Sequence, residues 1–451
     1  MQPGKQARVL VLWDAVRHTA ATVSAHVEAL RAHSSHDVQV LSLFGSLPDA
    51  LALDRFDAVV IHYSLNLCVE GYLCERSRAR LAAFKGVKAV FIQDEYRLVD
   101  RTIAALQAIG CDLLFTCVPE EEWEKVYPTA RLPRMAKVNV LTGYVDEALL
   151  GRKVPPLDQR PIDIGYRARK VPAWLGDLGQ EKYNIGVRVA EDARPHGLKV
   201  DLAYREEERL YGEAWIAFMT RCKATLGVES GASVFDFTGE IQAAVDQAVA
   251  ADPGLPYEEL KRRHFAQAEG LIRLNQISPR CFEAAALRTL MVLYEGEYSG
   301  RLEPWRHYVP LKKDHSNFGE VVTVLRDPAR AAAIVQQAYD EVACAPRNSF
   351  RAAAAEFDEA VAAALRAKGE PPVANPYGPP EMAAVQAAAD QANRRRLRQR
   401  EVFTGLYFFL FGRLLGFLPE PTRDKLARQL HHALQPLVRV AQRVFRRLRG
   451  R

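Results

Sequence analysis

Cysteine is too sparse and too scattered in this chain of 451 residues to form a framework. The seven cysteines (Cys68, Cys74, Cys111, Cys117, Cys222, Cys281, Cys344) sit in apolar contexts, and no two have the CxxC spacing of a zinc or redox site. An odd set of thiols suits a reducing compartment, so no metal is expected. No charged, apolar and small-residue segments line up as a secretory leader before Arg8–Leu12, which places the expected body in the cytoplasm. Spanning a bilayer takes about 20 apolar residues. The strongly apolar run Leu406–Leu418 is shorter and is interrupted by Arg413. The lack of a fixed-period repeat argues against a solenoid or propeller. The lack of any recognisable DNA- or RNA-binding motif leaves nucleic acid without support as a partner.

Negative charge at the C-terminal end is also scarce. Residues 394–451 hold 15 Lys and Arg against Glu401, Glu420 and Asp424, so the whole-chain charge of +6 becomes −6 for the 393 residues before them. The basic character therefore belongs to a tail and not to the body. Leu426, Leu430, Leu434, Leu437, Val438, Ala441, Phe445 and Leu448 recur at helical spacing with arginines between them, and Pro436 divides the run. This pattern suits a helix lying on an anionic membrane surface, here the inner face of the plasma membrane; packing on the body or on a partner is the alternative.

A length of 451 residues exceeds what one hydrophobic core usually serves, so two domains are expected. Short apolar runs alternate with helical stretches, the pattern that builds parallel sheets. The first series is Arg8–Trp13, Asp37–Leu43, Asp57–Tyr63, Val87–Gln93 and Asp112–Thr116, giving a domain over 1–155. After a proline-containing stretch, the second is Ile162–Arg167, Leu198–Ala203, Lys223–Glu229, Thr289–Glu295 and His307–Lys312, giving a domain over 160–345 with a helical insertion at about 236–269. A helical stretch at 346–368, a proline-rich linker at 369–381 and a basic amphipathic tail at 382–451 complete the expected order. The fold class is α/β: two Rossmann-like, doubly wound domains with a helical tail.

Two such domains leave a cleft at the carboxyl ends of their strands, where helix N-termini suit phosphates. The richest loop there is Asn275–Gly300. Proline at 279 and serine at 278 predict a helix start, with Ser278, Arg280 and Glu283 at or near the end that favours an anion. The segment SPRCFEAAALRTLMV resembles the donor-site motif of the group 1 glycosyltransferases, of GT-B architecture, and the run Glu295–Asn317 resembles a bacterial subset of them. The resemblance implies that Glu283 binds the ribose of a nucleotide-diphosphate sugar while Ser278 and Arg280 face its phosphates. The family's pattern is E-x(7)-E, but the earlier position here is Asn275, and Glu229 is the candidate for a displaced first acid. Arg160–Lys182 resembles the opening of the family's donor domain, which makes Arg167 and Arg169 candidates for neutralising the leaving diphosphate.

The acceptor is expected against the first domain, whose strand ends carry Trp13, Asp14 and His18, then His62, then Asp94 and Glu95. Asp94 or His62 is the candidate to orient the acceptor hydroxyl or take its proton. The glycine-rich turn that many relatives carry after the first strand is absent. The resemblance implies a metal-independent, retaining transferase without a cofactor, with a nucleotide sugar as donor and a glycan, lipid-linked or small-molecule acceptor. An inactive nucleotide-sugar-binding or scaffold protein and a nucleotide-sugar epimerase are the alternatives. Each candidate also has a structural reading: salt-bridged arginines, a capping Asp94, a buried His62.

Overall fold

The computed structural model describes residues 7–15, 21–69, 71–369 and 375–415, without the side chains of 21, 206 and 399–415. The first sheet is built from β1 (Arg8–Trp13), β2 (Asp37–Ser42), β3 (Ala58–Ile61), β4 (Val87–Ile92), β5 (Leu113–Thr116) and β6 (Ala136–Asn139) in the order β2-β1-β3-β4-β5-β6, all parallel. Its strands are continuous Val, Ile, Leu and Phe runs because helices cover both faces. The second sheet, from β7 (Ile162–Arg167), β8 (Val200–Ala203), β9 (Cys222–Gly227), β12 (Leu290–Tyr294) and β13 (Val309–Leu311), has the order β13-β12-β9-β7-β8 and is also parallel. Two short antiparallel strands, β10 (Ser230–Ala232) and β11 (Leu274–Gln276), bracket the insertion. This is the α/β architecture with two Rossmann-like sheets expected from the sequence.

In each sheet the strand order reverses beside the first strand, between β1 and β3 and between β7 and β9. A crevice opens at such a reversal because the crossing helices diverge to opposite faces. Both sheets lie in one compact unit, Met1–Ala389. Within it the sheet domains share hydrophobic core. Phe235, Ile272 and Leu274, from the base of the insertion, are buried among first-domain residues such as Leu106 and Tyr127. Backbone joins them as well: Arg97 and Asp236 form a β-bridge, and Asp100 N–H donates to the Phe237 carbonyl at 3.1 Å. The insertion itself holds two helices, Glu240–Ala251 and Tyr257–His264.

The alanine-rich stretch after Asp327 forms the helices Pro328–Ala338 and Phe350–Lys368, interrupted around Pro346. The second returns to the first sheet, where Phe357 and Val361 are buried with Val60, Phe91 and Phe115. Of the second compact unit, Asp390–Arg451, the described part continues the helix Pro379–Leu415. No helix among the described residues is long and apolar enough to cross a membrane. The Leu426–Leu448 periodicity, the end of the apolar run past Leu415, residues 370–374 of the linker and His18 lie outside the described residues.

Candidate functional site

The helix expected after Ser278 runs from Pro279 to Ala286, with proline in its first turn and Ser278 in extended backbone geometry as its cap. The Ser278 side chain makes no capping hydrogen bond. Facing this helix start is the loop after β6. Thr142 Oγ1 donates to the Ile277 carbonyl at 2.6 Å, and Gly143 approaches so closely that a Cβ there would meet Pro279 Cγ at 2.8 Å. Only glycine lets the two domains meet at that point.

A cavity of about 590 Å³ lies between the domains at the carboxyl ends of their strands. Its volume is that of a small-molecule site. The second domain contributes Arg167, Arg169, Lys182, Trp215, Ser278, Arg280 and Glu283; the first contributes Gln93, Asp94, Tyr96, Cys117 and Thr142. Two sequence candidates from opposite domains, Glu283 and Asp94, therefore meet on one cavity.

Glu283 is partly buried, and Trp215 Nε1 donates to its Oε2 at 2.8 Å. Burial raises the Glu283 pKa, while the indole hydrogen bond and the nearby Arg280 charge oppose the rise. Arg280 lies between two rings, its Cζ 5.1 Å from the centroids of both Tyr166 and Trp215, and its Nη2 donates to the Arg167 carbonyl at 2.8 Å. That clamp fixes a guanidinium on the cavity wall.

Lys182 was missed from the sequence because it lies inside the helix Gly176–Ala193, fifteen residues past the end of β7, and only the fold brings it to the cavity. Its pKa is lowered to about 8, first by burial and then by the like charges of Arg280 and Arg169, while Asp94 acts the other way. Arg169, Lys182 and Arg280 line the cavity from the second domain and Asp94 lines it from the first. A lysine whose charged form is disfavoured first by burial and then by like charges gains from an anion placed beside it. Asp94 is exposed and accepts from Tyr96 Oη at 3.2 Å.

The other candidates fall differently. Arg167 reaches the cavity, but its guanidinium is engaged by Asp201 at 2.9 Å and lies 4.0 Å from the centroid of Phe218, so its charge is compensated within the second domain. Glu229 meets Asn275, whose Nδ2 donates to it at 2.7 Å, but its carboxylate also accepts from the backbone N–H groups of Glu297 at 3.1 Å and Tyr298 at 2.8 Å. It holds the loop after β12 and does not line the cavity.

His62 is a correction. It is fully buried and absent from the cavity wall. Its Nδ1 lies 2.9 Å from Ser64 Oγ and 3.2 Å from Ser64 N, and its Nε2 lies 3.0 Å from His26 Nδ1. Both ring nitrogens have partners inside the first domain, away from the cavity. Asp14 is likewise fully buried, with its N–H donating to Ser64 Oγ at 3.0 Å, and Trp13 packs on the first domain's core; neither lines the cavity. The strand-end pattern marked the right edge of the sheet but could not tell which loops turn inward.

No family model and no curated protein matches the chain. Among solved structures, an alpha-glucosyltransferase with UDP-glucose and DNA containing an abasic site is similar over 79% of this chain and 100% of its own, at 9% identity and a TM-score of 0.48. Anabaena HepE in complex with UDP is similar over 79% and 100%, at 9% identity and a TM-score of 0.44. The pneumococcal O-GlcNAc transferase GtfA with UDP and GlcNAc is similar over 68% of this chain and 57% of its own, at 11% identity and a TM-score of 0.37. At these values they settle neither substrate nor mechanism.

Proposed function

We propose that this protein is a GT-B glycosyltransferase that transfers a sugar from a nucleotide-diphosphate donor bound on its second domain to an acceptor held against its first. The observation that carries the reading is the joint placement of a partly buried carboxylate, Glu283, and three cations, Arg169, Lys182 and Arg280, on one interdomain cavity that Asp94 closes from the other side. An acceptor-only carboxylate suits vicinal ribose hydroxyls. Fixed cations suit a diphosphate whose charge grows as the sugar leaves, and this supports transfer without a metal. Asp94 is the candidate to orient the acceptor hydroxyl; retention of anomeric configuration is part of the same reading, from the family resemblance.

Glycans and lipid-linked sugars are the acceptor classes we favour, with the basic tail resting on an anionic membrane. Co-sedimentation with anionic vesicles, lost on removing residues 394–451, tests the tail. A non-catalytic nucleotide-sugar-binding protein is the second reading, favoured by Asn275 where the family has an acid and by the full set of hydrogen bonds around Glu229.

Thermal-shift screening of nucleotide sugars tests the donor, because a ligand that prefers the folded state raises its melting temperature. A stabilising donor that is also turned over supports the transferase. A stabilising donor never consumed, with or without acceptors, supports the second reading, and no stabilisation by any nucleotide sugar overturns both.

A further inference from the structure

The ribbon of β10 and β11 forms part of the cavity wall through Ser230, Gly231, Leu274 and Gln276. Its strands pass so closely that a Cβ on Gly231, at φ +125°, would overlap the Leu274 carbonyl oxygen. At its root the chain enters the first domain: Phe235, Ile272 and Leu274 are only 5%, 6% and 1% exposed within that domain's core. Main-chain bonds fasten the same place. Asp236 N–H donates to the Tyr96 carbonyl at 2.8 Å. Asp100 N–H lies in the first turn of the helix Val99–Ile109, so it has no partner within that helix and donates to the Phe237 carbonyl at 3.1 Å. Between these two bonds Leu98 is held at a left-handed φ of +52°, a strain that persists only where the surroundings over-determine it. At the other end of the ribbon, Thr142 Oγ1 holds the Ile277 carbonyl.

We propose that this ribbon and its apolar root are a strap that keeps the two domains closed on the cavity whether or not a ligand is bound. Domains in one chain move relative to each other by default unless the interface between them is large and hydrophobic. Here, parting them would draw three large apolar side chains out of a core and break both main-chain bonds at the root. Ligands therefore enter through the mouth of a standing cleft, not by separation of the domains. The strap does not depend on what the cavity binds.

Hydrogen exchange of the full chain, read on the amides of Asp100 and Asp236 without and with UDP, GDP or ADP, tests this. In the ligand-free protein both are expected to exchange roughly 10³-fold or more slowly than open-chain amides, as the buried strand β5 does, and nucleotide is expected to change neither. Phe235→Ala, at a side chain that does not line the cavity, is expected to speed exchange at both amides roughly 10²- to 10³-fold while β5 keeps its protection. Fast exchange at Asp100 and Asp236 in the ligand-free wild type overturns the strap, whether or not a nucleotide slows it, because the domains then part in solution. Undiminished protection in Phe235→Ala also overturns it, because the apolar root would not be what holds the domains together. Loss of protection in β5 as well would mark that variant as unfolded, and the ligand-free wild type then decides alone.

Discussion

The two domains present polar side chains at the same edge of similar sheets and treat them in opposite ways. In the first, His26, His62, Ser64 and the Glu95 carboxyl are buried, with partners for their polar atoms inside the protein. In the second, Ser278, Arg280, Lys182 and Glu283 line an open space, and the positive charges crowd one another instead of being neutralised by carboxylates in contact. Buried polar groups are stable only when paired, so the first set describes a solved folding problem. The second retains bonding capacity for something that is not protein. Asp94 is the exception in the first domain, exposed on the cavity beside the buried Glu95.

The contrast breaks most sharply at Asp94. Asp94→Asn keeps the shape and removes the charge and the proton acceptor; if Asp94 activates the acceptor, turnover is expected to fall by roughly 10²- to 10⁴-fold with donor affinity nearly unchanged. Initial rates at saturating donor, compared with calorimetric donor affinity, check the split. Turnover within twofold of wild type would remove Asp94 from the chemistry.

Next in size is Glu283→Ala, which, if Glu283 holds the donor's ribose, deletes charge-assisted hydrogen bonds to it and leaves Trp215 Nε1 without its partner. Each such bond is worth about 1.5–3 kcal/mol, so donor affinity is expected to drop roughly 10- to 100-fold in calorimetry. Glu229→Gln is the control on the other side of the comparison. With its carboxylate facing Asn275 and the loop after β12, it is expected to lower the melting temperature and spare donor affinity.

A smaller effect separates Lys182 from an ordinary surface lysine. Its pKa of about 8 means that the free protein loses this charge as pH rises through 8, more than two units before an unperturbed lysine would. Donor affinity is therefore expected to decline between about pH 7 and 9 by roughly tenfold. Binding at pH 8 to 9 is expected to take up a proton, seen as a dependence of the binding heat on the buffer's ionisation enthalpy. Lys182→Arg, always charged, is expected to flatten the pH profile.

The sequence made the sheets legible because buried parallel strands are continuous apolar runs, as in Ala58–Ile61 and Leu290–Tyr294. The helix start at Pro279 was legible for a local reason, since a proline in the first turn fixes it within a few residues, although Ser278 makes no side-chain cap. What was not legible depended on which way loops and helices turn in three dimensions. Lys182, Trp215 and Tyr211 reach the cavity from the flanks of helices and carry no motif, and His62 occupied a promising strand end yet faces His26. The shared core through Phe235, Ile272 and Leu274 was hidden for the same reason: an apolar residue does not announce which domain it will pack against.

The least consequence for activity, and the clearest view of the satisfied half of the comparison, comes from Glu95. It accepts from Thr116 Oγ1 at 2.5 Å, Cys117 N–H at 2.6 Å and Tyr127 Oη at 2.5 Å, but burial outweighs these donors and pushes its pKa up to about 7. The folded chain then keeps a proton that the unfolded chain releases near 4.5, so this group's contribution to stability is complete below pH 4.5 and is lost as pH rises through 7. His26 has the opposite sign: burial lowers its pKa to about 4, so its contribution grows as pH rises from about 4 to 6.5. Over the window they share, the two slopes offset each other. Glu95→Gln removes one of them, so its stability, measured by urea unfolding, is expected to climb between pH 4.5 and 6.5 by on the order of 2 kcal/mol relative to wild type, while nucleotide affinity stays the same. Parallel pH profiles for the two proteins would mean that Glu95 is ionised in the fold and that the first domain, like the second, tolerates a charge at this edge.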